Sequence, residues 1–99
     1  MWMVNPEKLC RKHLLGEHVE CHMFVGTILK GKKLHGYAKK GLVEVHNIKR
    51  RHEDLKNEML RRGMKHNSEL PFFEDFIFGI VDVKNNEIEL KRRCKDCKF

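Results

Sequence analysis

A chain of 99 residues, 40% hydrophobic and 35% charged, is long enough for one modest core and too apolar for a disordered tail. Lys and Arg number 21 against 14 Asp and Glu, leaving a formal charge of +7, and seven histidines add to it as pH falls. That balance favours polyanions such as nucleic acid or an anionic membrane surface, although a solvated basic surface would look the same.

Asn5-Pro6 reads as an N-cap followed by proline at the first helical position, so the first helix is predicted to run from there to about Leu29. Leu14, Cys21, Val25 and Ile28 fall on one stripe of it, with Leu15 and Leu29 on the shoulder. His13, Glu17 and Glu20 share a neighbouring face, while His18 and His22 project from within or beside the stripe. Gly16 and Gly26 each cost such a helix roughly 1 kcal/mol relative to Ala. A close partner or ligand would explain Gly16, and so would a tolerated weak point.

Lys30 to Gly41 (KGKKLHGYAKKG) is a basic, glycine-punctuated loop with a single aromatic, Tyr37. Gly41 to Val45 alternates briefly like a strand but also fits the entry to a second helix, Val43 to Arg62, with Val45, Ile48, Leu55 and Met59 on its buried side and Leu60 a candidate for it. Its remaining faces carry Lys49, Arg50 and Arg51 among other charges, and Gly63 fits a C′ glycine. Met64 to Pro71 is a connection. Phe72 to Val83 (FFEDFIFGIVDV) is the most apolar stretch and should cover the core as a short helix or an extended piece. Asn85 to Arg93 looks helical and leads into Cys94-x2-Cys97. The expected fold is all-α: one domain over 1–99, a compact bundle of about three helices with a basic loop and an aromatic C-terminal cover. No run approaches the ~20 apolar residues of a membrane span. The opening MWMVNPEKLCRK has no signal-peptide core, which predicts a cytoplasmic protein with reduced cysteines.

Three constellations carry chemistry. Glu17 and Glu20 with His13 suit acid-base work at the mouth of a cleft, or are exposed helix residues and nothing more. Cys94-x2-Cys97 is half a zinc site, and Cys10-x2-His13 has the spacing of the other half. His18 and His22, with Cys21 between, compete as a metal-binding pair on the first helix, and a lone CxxC is a weak signal by itself. The lysines of residues 30–40 and the cluster Lys49 to Arg51 would meet phosphates, with Tyr37 or Trp2 able to stack on a base. No zinc-finger, RRM or KH signature is present, nor GxSxG, GxxxxGK[ST] or HExxH.

His13-Leu14-Leu15-Gly16-Glu17-His18-Val19-Glu20 resembles the first-helix motif His-Leu-x-x-Glu-x-x-Glu of the phage-type pyrimidine-dimer DNA glycosylases. Glu58-Met59-Leu60-Arg61-Arg62-Gly63-Met64 is similar to that family's Glu-x-Leu-Lys-Arg-Gly-Phe helix end, and the basic Gly-Lys stretch lies between the two in the corresponding place. The resemblance covers roughly residues 1–65. It implies an all-helical enzyme of damaged double-stranded DNA, working without a cofactor, that removes a base and cleaves the abasic strand. It also implies that the α-amine, here of Met1, attacks the sugar, with Glu20 as the supporting carboxylate. An α-amine of ordinary pKa ~7.7–8.0 is partly uncharged near neutral pH, where lysine is not. His13 and Glu17 would position these two, while Lys32, Lys33, Tyr37, Lys39, Lys40 and Arg50 would hold the DNA. The rival expectation is a non-enzymatic nucleic-acid-binding module stabilised by zinc on Cys10, His13, Cys94 and Cys97. A third makes the histidine-rich first helix a catalytic metal site.

Overall fold

A computed structural model describes residues 1–99. It is helical throughout with no strands: α1 (Arg11–Leu29), α2 (His35–Lys39), α3 (Ile48–Arg61) and α4 (Val83–Arg93), with 3-10 turns at Pro6–Lys8 and Val45–Asn47. The three longer helices match the expected bundle of about three. No helix is long and apolar enough to cross a membrane.

The first helix does not start at Pro6. Asn5 caps a three-residue turn by accepting from the Glu7 amide at 3.0 Å, after which Leu9 is extended and buried in the core. Arg62 at the end of α3 fixes that break, donating from Nη2 to Leu9 O at 2.7 Å and Pro6 O at 3.1 Å. Glu58 holds the same guanidinium through Nε at 2.7 Å. Cys10 then caps α1, its sulfur accepting from the His13 amide at 3.5 Å.

From α1, Leu14, Cys21, Phe24 and Val25 are buried against Ile48, Leu55 and Met59 of α3. Each fully buried large side chain contributes about 1.5–3 kcal/mol. Ile28 is only half-buried and Leu29 is exposed, so the stripe fades at the helix end. An added Cβ at Gly16 would meet nothing within 4 Å, which removes close packing as its explanation.

The expected loop at 30–41 folds α2 within it, closed by Gly41 in the left-handed region (φ +69°). The second helix starts at Ile48 rather than Val43, because residues 43–45 are used by the tail segment. The Val45 amide bonds Phe78 O at 2.9 Å, and the Glu44 carboxylate accepts from the Val81 amide at 2.7 Å. Gly79 lies so close to Val43 that a Cβ there would clash with its carbonyl oxygen. Residues 67–82 form no helix, and the aromatic cover is not what the segment provides. Phe73 is buried and Phe78 half-buried, but Phe72, Phe76 and Ile77 face solvent. With Pro71 at one end and Gly79 pressed on Val43, the segment touches the core at Phe73, Phe78 and Val81 and leaves 74–77 outward, so no continuous aromatic face turns inward.

Candidate active site

The amino terminus is folded into the molecule. The Met1 side chain is fully buried and its Sδ accepts from the Glu44 amide at 3.4 Å. Its amine emerges between two acceptors, Leu42 O at 2.6 Å and the Glu20 carboxylate at 2.5 Å. The Glu20 side chain is 32% exposed, so the pair opens to solvent on the carboxylate side. Gly16, one helical turn earlier on the same face, has open space beside it.

Several groups fix this geometry. Glu17, buried, takes a two-pronged ion pair from Arg51, Nε to Oε2 at 2.6 Å and Nη2 to Oε1 at 2.8 Å. The third prong of Arg51 donates to Val4 O at 2.7 Å, and the Met3 amide reaches Glu17 Oε2 at 3.4 Å. Between them Met3 sits at φ +59°, a left-handed conformation that costs a side-chain-bearing residue roughly 1–2 kcal/mol. Asn86 of α4 donates to Trp2 O at 2.9 Å. Thus α1, α3 and α4 all grip the first four residues.

The expected quartet therefore divides. Met1 and Glu20 meet directly, whereas Glu17 is committed to Arg51 and the backbone behind them. His13 points elsewhere: its Nδ1 lies 3.1 Å from Cys10 Sγ and 3.5 Å from Cys97 Sγ, with its ring edge against Trp2. Burial, then Lys12 and Arg93, lower its pKa, favouring the neutral ring. Arg51, expected on a solvated face, is 3% exposed. Its spacing from Ile48 and Leu55 places it on the buried stripe, a signal masked by the surrounding charges. Asn86 carried no signal at all.

Of the expected DNA-binding residues, Lys32, Lys33, Lys39, Lys40 and Arg50 are all exposed. Tyr37 is 39% exposed with its ring edge-on to Phe24 at 5.2 Å. Because Leu42 directly follows this basic segment and binds the amine, the cationic stretch runs into the site.

Two groups of side chains have metal-compatible spacing. Cys10, His13, Cys94 and Cys97 bring one ligand atom each within 4.8 Å of one another, and so do His18, His22 and His52. In the second group His18 Nε2 already bonds His66 Nε2 at 2.8 Å, and His22 and His52 complete a cluster of four imidazoles in which the His22 ring is half-exposed. His52 and His66, both missed in sequence, complete it from α3 and the following connection. Burial first, then His52, His66 and His22, push the His18 pKa down to about 4.

Fold and site together define a small, basic, all-helical protein whose terminal amine is held on a helix carboxylate. The chain belongs to the pyrimidine dimer DNA glycosylase family, whose family model matches residues 1–72. That range carries α1 to α3, Met1, Glu20 and the basic segment, while α4 and the Cys94-x2-Cys97 pair lie beyond it. Membership supports a pyrimidine dimer glycosylase function with DNA as substrate. No curated protein and no solved structure matches the chain.

Proposed function

We propose that the protein excises pyrimidine dimers through an imine between Met1 and the sugar and then cleaves the abasic strand, with Glu20 as the catalytic carboxylate. The observation that carries this reading is the 2.5 Å contact between the Met1 amine and Glu20, open on one side to solvent. The ammonium gives up a proton through Glu20 to solvent, which leaves the carboxylate ionised, and the freed lone pair attacks C1′. The C1′–N bond to the base breaks with its electron pair on the departing base, and the ionised carboxylate stabilises the positive charge developing on the sugar. Loss of a second amine proton leaves a neutral aminal, whose nitrogen lone pair expels the ring oxygen: the C1′–O4′ bond breaks, O4′ takes a proton and the protonated imine forms. Removal of a C2′ proton then expels the 3′ phosphate by β-elimination.

The target nucleotide must leave the stack, at a cost of a few kcal/mol offset by phosphate contacts. Lys32, Lys33, Lys39, Lys40 and Arg50 supply those contacts in this reading, and Tyr37 offers a ring for stacking. Glu17 and Arg51 act behind the amine as positioning residues. His13 takes no part in the proton transfers, its Nδ1 being turned to the thiols.

The test is Glu20→Gln, assayed on an abasic duplex with borohydride present. The wild type is expected to give a covalent adduct and strand scission, and the variant to lose at least about 10²-fold in scission while duplex affinity stays within a few-fold. Undiminished scission by the variant overturns the assignment. A wild type that binds DNA but forms no adduct leaves the non-enzymatic binding module as the reading.

A further inference from the structure

The four residues at the groove between the start of α1 and the carboxyl-terminal tail fit a metal. We propose that Cys10, His13, Cys94 and Cys97 bind a structural zinc ion that clasps the tail onto the start of α1. The proposal stands on its own geometry and does not depend on the catalytic reading.

Zinc bonds of about 2.3 Å to sulfur and 2.0–2.1 Å to nitrogen set tetrahedral edges of about 3.8 Å between sulfurs and about 3.5 Å between sulfur and nitrogen. Cys10 Sγ lies 3.9 Å from Cys94 Sγ and 3.1 Å from His13 Nδ1, and Cys97 Sγ lies 3.5 Å from the same nitrogen. All four ligand atoms fall within 4.8 Å of one another. The sulfur separation is almost twice a disulfide bond of about 2.05 Å, and all four cysteines of the chain are free. Three thiolates and one imidazole are a closed donor set of the kind that structural zinc takes, with no position left for water.

The surroundings are built for an anionic centre. The Cys10 amide donates to Cys97 Sγ at 3.3 Å, a bond that favours the thiolate and orients it. Two positive and three negative charges leave the centre at −1, and Lys12, Lys91, Arg92, Arg93 and Lys95 line the same groove against the one carboxylate of Asp96. Beside it the Lys98 amide bonds Lys8 O at 2.7 Å, so backbone as well as side chains join the two ends. Binding would release the thiol protons to solvent.

The clasp explains how α4 and the residues after it stay attached. Residues 83–93 bury only Leu90, too little to anchor a helix alone. Tethering Cys94 and Cys97 to α1 keeps α4 in place, and with it the Asn86 bond to Trp2 beside the amine.

Metal-stripped, reduced protein titrated with cobalt(II) should take up one equivalent with a thiolate-to-cobalt charge-transfer band and tetrahedral visible bands, both displaced by zinc(II). The band should persist in Cys21→Ala, whose buried thiol lies elsewhere, and vanish in Cys94→Ala/Cys97→Ala. Zinc should raise the Tm of the wild type and of Cys21→Ala but not of the double variant. Cobalt uptake by the wild type without a thiolate band overturns the proposal, and needs no variant to fold. So does a band that survives loss of Cys94 and Cys97.

Discussion

Burying Glu17 and Arg51 together removes two full charges from water, which is tolerable because nearly every polar atom of the pair is matched. The guanidinium spends two prongs on the carboxylate and the third on Val4 O, while the carboxylate also takes the Met3 amide. Arg51→Met would strand a buried carboxylate and a buried carbonyl. The expected loss is about 3–5 kcal/mol, seen in urea or thermal unfolding as a fall in Tm of ~12 °C or more. Replacing both residues by Met should cost much less, since no orphan charge remains. A single variant within about 1 kcal/mol of wild type would show that the pair does not hold the amino-terminal segment. At this scale the contact between Met1 and Glu20 agrees with what the resemblance implies, a motif pointing to Glu20 and the family's use of an α-amine to Met1. Arg51 was hidden among like residues, and Met3 gave no hint of its positive φ, which tertiary contacts impose.

Among the elements, α1 was legible in its stripe and its end but not in its start. Asn5-Pro6 does cap a turn, but a side chain 53 residues away holds the chain open at Leu9. Local rules do not register such a partner. The Phe72 to Val83 stretch misled for a related reason, since its apolar composition says nothing about which residues its backbone bonds will turn outward. Helices α1 and α3 also enclose the imidazoles of His18 and His52, with His22, His66 and the Glu69 carboxylate facing them. The His18 pKa falls from the usual 6.5 to about 4 on folding, chiefly by burial and then by the neighbouring rings. Between those values the unfolded chain binds more protons, so stability drops as pH falls from 6.5 towards 4. The share of His18 between pH 7 and pH 5 is about 2 kcal/mol by linkage. Denaturant unfolding at the two pH values should show it, with the difference reduced in His18→Phe. Equal stability at pH 7 and 5, or an undiminished difference in the variant, would contradict it.

Across the whole molecule the chain wraps around its own amino terminus. The amine rests on α1 and on the carbonyl that follows the basic segment, Arg51 of α3 holds Val4, and Asn86 of α4 holds Trp2. Family membership covers three of these four supports; the last comes from the part of the chain beyond residue 72. A buried Met1 side chain is consistent with that design, because it is a core residue whose backbone nitrogen happens to be primary. The basic composition forecast a polyanion partner, and family membership narrows it to DNA. Which of the proposed lysines would touch it depends on the shape of the bound duplex, which no sequence pattern describes.

The account turns on which nitrogen forms the imine. Borohydride reduction on an abasic duplex, followed by proteolysis and mass spectrometry, reads this directly. The reduced adduct is expected on the α-nitrogen of Met1 and should be absent after selective acetylation of that amine. An adduct on a lysine side chain, or one undiminished by acetylation, would contradict it.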